Sequence, residues 1–415
     1  MEQIRIKMNL FLMLSVMLVL FTPVVSCSSA SKGFTSLSEE QKEVLAYLPR
    51  DIVISHRGTT YWAPEETEAA MRWARNTGGD YLECDIQRTK DGYLLALHDE
   101  DLQRTTDVAE KFPERKDAPV SEFTLEELLT LDAGSWFNKA CPERARKGFS
   151  GLDILTLEDV IRVAEGNRIL RDSTGKRLYR KENGKIIMQY EKDPADNGNR
   201  PGIYPETKEP RLFPGIERDL RNELERLGWY AVDRDSLKSV PTTEGKVGIA
   251  NTPARVILQT FSRESLRKLR EAFPRLIPTC QLLWLGENDM KNDAPETYAK
   301  WVDYAIEQGA VIMGPSIGGE PNRYDDLLKP WMAALVFNSG MQIHAYSFDT
   351  EEQMKKYLGS TYVLEGVGKR NLVDGLFTNL TDETILFYRD HINFENRQKN
   401  KPLESSEKVL ERLGY

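Results

Sequence analysis

Four histidines and four cysteines are spread over 415 residues, with no run of lysine and arginine and no tandem repeat of solenoid period. Each scarcity excludes something. Without a basic stripe, and at a formal charge of -9, nothing resembles a nucleic-acid footprint. Four distant cysteines give no disulfide framework, and Cys84, Cys141 and Cys280 suit no thiolate metal site. With 40% hydrophobic and 29% charged residues, the chain is neither disordered nor fibrous and can bury a large core.

What is present begins with a leader. Arg5 and Lys7 precede an apolar run from Met8 to Ser26, which reads as an export signal over residues 1–26. Val24-Val25-Ser26-Cys27 resembles a bacterial lipobox, so Cys27 is expected to carry a lipid anchor, with residues 27–48 as tether and N-terminal segment. An uncleaved membrane span is the alternative. The expected location is the bacterial cell envelope, periplasmic or surface-facing.

From residue 49 to 390, short apolar runs alternate with amphipathic helical stretches, the pattern of βα units around a parallel sheet. Nine candidate strands compete for eight barrel positions: 51–55, 80–86, 93–98, 202–206, 255–260, 279–283, 310–313, 341–346 and 375–378. Helices are expected at 65–76, 125–131, 157–165, 219–227, 263–271 and 295–307, with capping-box starts at Thr124/Glu127 and Thr156/Asp159. Residues 167–200 break this rhythm; Asn183-Gly184 between two alternating stretches predicts a hairpin inside a solvated insertion. Residues 391–415 read as a polar tail.

Two histidines, His56 and His98, close predicted strands, where barrel enzymes place their active sites. Between them, Glu83 and Asp85 stand i, i+2 on one strand and project from the same face. Two carboxylates so placed call for a compensating hard divalent cation. A second i, i+2 pair, Glu206 and Lys208, adds a third carboxylate and an ammonium. With Arg57, these groups suit a metal-phosphate site, in which two imidazoles near neutral pKa deprotonate an attacking oxygen and protonate a leaving alkoxide. His344 and His391 are read as structural or surface groups, and Cys84 as a small hydrophobe facing away from the carboxylates.

His56-Arg57-Gly58, Pro64-Glu65-Glu66-Thr67, Glu83-Cys84-Asp85, His98-Asp99, Arg104-Thr105-Thr106-Asp107, Tyr204-Pro205-Glu206-Thr207-Lys208, Gln259-Thr260-Phe261-Ser262, His344-Ala345-Tyr346 and Gly375-Leu376-Phe377-Thr378 together resemble the glycerophosphodiester phosphodiesterase family, closest to its periplasmic bacterial branch. The resemblance runs from about Ile52 to Thr378. It implies a distorted TIM (β/α)8 barrel with a small insertion, and one divalent cation, Ca²⁺ ahead of Mg²⁺, on Glu83, Asp85 and Glu206. His56 and His98 would be the general acid/base pair, with Arg57 and Lys208 on the phosphate and Tyr346 against the substrate. The implied reaction is hydrolysis of a small glycerophosphodiester to sn-glycerol 3-phosphate and an alcohol, with no protein partner. Glu66 departs from the Asn usual in the family, and Tyr346 from the usual Trp. Alternatives are a phosphodiesterase for intact phospholipid, sphingolipid or teichoic-acid substrates, and a non-catalytic lipoprotein that binds phosphate esters.

Overall fold

The computed structural model describes residues 35–391 and 404–415. The signal segment and Cys27 lie outside them, so the leader and lipid anchor have no structural counterpart here. Among the described residues no helix is long and apolar enough to cross a membrane.

Eight parallel strands close into a barrel: β1 (Ile52–Ser55), β2 (Tyr81–Arg88), β3 (Gly202–Thr207), β4 (Leu258–Thr260), β5 (Thr279–Leu283), β6 (Ile312–Pro315), β7 (Gln342–Phe348) and β8 (Gly375–Thr378). Pairing of β1 with both β2 and β8 completes the ring. Strands covered by helices outside and packed side chains inside are apolar along their length, which explains runs such as Ile52-Val53-Ile54, fully buried on both faces.

The surplus candidate is Tyr93–His98. Its core, Leu94–Ala96, pairs antiparallel with β2, and His98 therefore follows an antiparallel appendage instead of closing a barrel strand. An apolar run shows burial but not the direction of its partner. That appendage still delivers His98 to the mouth, because the Leu97 amide donates to the Asp85 carbonyl at 2.8 Å.

The excursion at 167–200 contains the expected hairpin, Tyr179–Glu182 against Lys185–Met188, turned at Asn183 and Gly184 with φ of 49° and 76°. None of its residues lines the active-site cavity described below. Both capping boxes form as expected.

The tail is a correction. Ser406–Leu413 form a helix that buries Val409, Leu410 and Leu413 against helix Glu68–Thr77. Helix Pro330–Asn338 is also absent from the sequence reading: Trp-Met-Ala-Ala-Leu-Val-Phe is apolar all round and shows no amphipathic period.

Candidate active site

The site starts at the end of β1. After Ser55 the chain turns sharply through His56, with Arg57 and Gly58 at positive φ of 51° and 75°. A Cβ on Gly58 would stand 2.7 Å from the Ala70 backbone, so only glycine permits this close approach. The turn aims the Arg57 amide at Glu83 Oε2, 2.7 Å away, and its guanidinium at Asp85 and Glu65, 3.2 and 3.0 Å away.

Register between β2 and β3 places Asp85 directly opposite Glu206, and Gln259 of β4 opposite Glu206 on its other side. Glu83, two residues before Asp85, shares their face and accepts from Gln259 Nε2 at 3.0 Å. Glu83, Asp85 and Glu206 are all buried, and each offers an oxygen within 4.8 Å of the other two. Lys208 Nζ lies 3.4 Å from Glu206 and 4.0 Å from Asp85.

These carboxylates are under-compensated. Burial, then the charge of Asp85, pushes Glu83 well above the usual carboxylate range. Burial pushes Glu206 up to about 7. Asp85 moves the other way: burial raises it, but the charges of Lys208, His98 and Arg57 outweigh that and hold it low. Glu66 adds a fourth buried carboxyl, with Oε1 accepting from the Asp85 amide at 2.6 Å; burial, then the charge of Asp85, raises its pKa too. Among the described residues, Glu66 Oε2 is buried without a hydrogen-bond donor, and Asp85 Oδ2 has only its ion pair with Arg57 Nε at 3.2 Å. An all-oxygen, anionic, buried donor set fits a hard divalent cation.

The two histidines are held differently. His98 Nδ1 lies 2.7 Å from Asp99 Oδ1, and Arg104 grips Asp99 while also binding Glu65. Burial raises Asp99, but the hydrogen bonds from His98 and Arg104 outweigh it and keep it ionised. His56 Nδ1 lies 2.8 Å from Asn379 Oδ1, and Asn379 Nδ2 donates to Asp349 at 2.5 Å. A carboxylate only accepts, so the Asn379 amide nitrogen must face Asp349 and its oxygen must face His56. His56 therefore carries its proton on Nδ1 and leaves Nε2 bare. The expectation of two near-neutral imidazoles needs correction at His56, which burial and the Arg57 charge push down to about 3.

All eight residues read from the sequence, His56, Arg57, Glu83, Asp85, His98, Glu206, Lys208 and Tyr346, line one cavity of 720 Å³ at the barrel mouth. His344 is elsewhere, buried with its Nδ1 3.1 Å from the Tyr204 hydroxyl, and His391 is exposed. Sequence reasoning missed Asn379 and Asp349. A polar residue one step past the end of β8 was the available clue.

Residues 56–186 match the model of the Glycerophosphoryl diester phosphodiesterase family. Over these residues the chain is similar to that family, and the match takes in His56, Glu83, Asp85 and His98 but not Glu206 or Lys208. A Bacillus subtilis glycerophosphodiester phosphodiesterase is 29% identical over 86% of this chain and 94% of its own length. A Haemophilus influenzae glycerophosphodiester phosphodiesterase is 25% identical, over 88% and 95%. Among solved structures, an Oleispira antarctica phosphodiesterase in complex with the product sn-glycerol-3-phosphate covers 81% of this chain and 96% of that one, at 18% identity and a TM-score of 0.50. A Silicibacter pomeroyi structure covers 85% and 98% at 17% identity and a TM-score of 0.52. At these identities the structures establish the shared fold, and the barrel is the frame on which this chain mounts its two histidines and its carboxylates.

Proposed function

We propose that the chain is a metal-dependent phosphodiesterase that hydrolyses glycerophosphodiesters to sn-glycerol 3-phosphate and an alcohol. Glycerophosphodiester phosphodiesterase is also the name of the two relatives matched over most of their length. The observation that carries the reading is the convergence of two oppositely tethered histidines and three buried carboxylates on one cavity.

Glu83, Asp85 and Glu206 would hold the cation, Ca²⁺ in this reading, because its flexible shell of six to eight oxygens leaves places for substrate beside three carboxylates. When bound, the ion neutralises phosphate charge and polarises the phosphorus centre. Arg57 and Lys208 bind the remaining phosphate oxygens. His56, neutral with a bare Nε2, takes the proton of the attacking oxygen; burial and then the Arg57 charge depress its basicity, and the anionic diester offsets the second of these. His98, oriented through Nδ1 by Asp99, gives a proton to the leaving alkoxide. Glu65 joins Arg57 and Arg104, so the phosphate clamp and the acid are positioned by one carboxylate.

The first 27 residues support an exported lipoprotein held to the cell envelope through Cys27, with its substrate among the deacylated phospholipids formed there. His56→Ala and His98→Ala test the assignment: each should lower kcat/KM for glycerophosphodiesters by about 10²–10⁴. Losses below tenfold in both would remove its basis.

A further inference from the structure

The barrel mouth is divided. The phosphate-handling groups stand on the arc from β8 through β1 and β2 to β3. The opposite arc, β4 to β7, contributes an unbroken chain of aromatic rings to the same cavity. Phe261 follows β4, Trp284 follows β5, Tyr324 comes from the loop after β6, and Tyr346 lies on β7. Neighbouring centroids are 4.9 Å apart for Trp284 and Tyr324, 6.1 Å for Tyr324 and Tyr346, and 5.7 Å for Tyr346 and Phe261. All four rings are half-buried.

The rings differ in what they can still do. Phe261 already has a cation, Lys208 Nζ 5.7 Å from its centroid, and belongs to the phosphate side. The Tyr346 hydroxyl is spent on the Leu283 carbonyl at 2.5 Å, so Tyr346 offers its ring and not its phenol. Trp284 and Tyr324 meet at 69° and form a corner, in which two ring faces can look at one group. Glu287 and Asp289, on the exposed turn beyond Trp284, also line the cavity, and among the described residues no cation pairs with either. The remaining charges at this rim are Glu209 and Arg211, which pair with each other at 3.1 Å.

The cavity is therefore anionic and aromatic on the β4–β7 side, while the phosphate side offers Arg57 and Lys208 and would be positive once a divalent cation is held by Glu83, Asp85 and Glu206. An aromatic corner next to free carboxylates is the chemistry that recognises an organic ammonium, above all a quaternary one, which cannot satisfy a carboxylate by hydrogen bonding but lies well on ring faces. A neutral polyol can donate its hydroxyls to the acidic rim but gains no charge attraction from it. We propose that Trp284 and Tyr324, with Glu287 and Asp289, form a subsite for a cationic leaving alcohol, so that the chain prefers zwitterionic phosphodiesters of the choline or ethanolamine type over diesters of neutral alcohols. This rests on the phosphodiesterase reading above and adds the identity of the alcohol to it.

The test compares kcat/KM for glycerophosphocholine and glycerophosphoglycerol, whose glycerol and phosphate are the same, in the wild type and in Trp284→Leu, Tyr324→Leu and the double variant Glu287→Gln/Asp289→Asn. The wild type is expected to prefer the choline diester at least tenfold. Each aromatic variant should cut that preference by about 3- to 30-fold, and the double variant should cut it most at low ionic strength. Should Trp284→Leu fail to fold, Tyr324→Leu, which lies in a loop, makes the same distinction. A wild-type preference under threefold overturns the proposal, as does an equal loss for both substrates in the variants, which would place the rings against the shared glycerol. If neither diester is turned over, the phosphodiesterase reading falls on its own. Calorimetry with phosphocholine and inorganic phosphate in the presence of Ca²⁺ then decides the subsite: tighter phosphocholine binding that Tyr324→Leu abolishes supports it, and equal binding of the two ligands refutes it.

Discussion

Two buried charge clusters in this molecule are built on opposite principles. Beside the C-terminal helix, Asp193 accepts from Arg72 at 2.8 Å through both oxygens and from Arg75 at 2.5 Å, while Arg72 also donates to the Leu413 carbonyl at 3.1 Å. Both oxygens of that carboxylate have cationic partners, and the cluster ties the insertion and the C-terminal helix to helix Glu68–Thr77. At the barrel mouth, Glu66, Glu83, Asp85 and Glu206 face only Arg57 and Lys208 closely; Glu66 Oε2 lacks a donor, and Asp85 Oδ2 has an ion pair with Arg57 but no hydrogen bond. A satisfied buried cluster is scaffold. An unsatisfied one costs folding energy and persists where a ligand supplies what is missing.

This contrast predicts opposite results from similar substitutions. The largest effect is expected from Glu206→Gln, which should lower kcat/KM by about a thousandfold, the several kcal/mol a bound cation contributes, while leaving the metal-free melting temperature at pH 8 equal or higher. Asp193→Asn should do the reverse: a loss of about 3–5 kcal/mol in stability from stranding buried arginines, with kcat/KM changed by less than a few-fold. If Glu206→Gln instead unfolds the protein, the mouth is scaffold as well and the contrast collapses.

Asn379→Ala, which frees the His56 tautomer, should lower kcat by about 10²-fold with KM little changed, and Asn379→Asp should recover part of the loss because it still accepts from Nδ1. Loss of substrate affinity alone would show that Asn379 does not orient the base. The smallest effect is in pH dependence. Glu206 has its folded pKa raised to about 7, so its contribution to metal-free stability is present at low pH and is lost as pH rises toward and through that value. Melting of the metal-free protein should therefore decline between pH 5 and 8, and added Ca²⁺ should restore more at pH 8 than at pH 5. Asp193, held down to about 2 because its bonds from Arg72 and Arg75 outweigh burial, loses its contribution only as pH falls from about 4 toward 2.

Sequence periodicity located all eight barrel strands, because a barrel strand is apolar along its whole length and bounded by polar turns. It failed at Tyr93–His98, where burial carries no information on strand direction. The i, i+2 spacing exposed Glu83/Asp85 and Glu206/Lys208, since period two is a property of one strand. Asn379 and Asp349 were not legible, because their role comes from β7 and β8 lying side by side. The aromatic corner was hidden for the same reason: Trp284 and Tyr324 come from different loops and meet only once the ring of strands is closed. Glu66, which looked like a departure at one motif position, shows its meaning only through its contact with the Asp85 amide.

The measurement that goes most directly to the central claim is release of sn-glycerol 3-phosphate from glycerophosphocholine by the purified protein, with EDTA and after restoring Ca²⁺ or Mg²⁺. The account predicts release that EDTA abolishes and a divalent cation restores, with Ca²⁺ ahead of Mg²⁺. Undiminished release in EDTA, by folded protein shown to be free of metal, would contradict it.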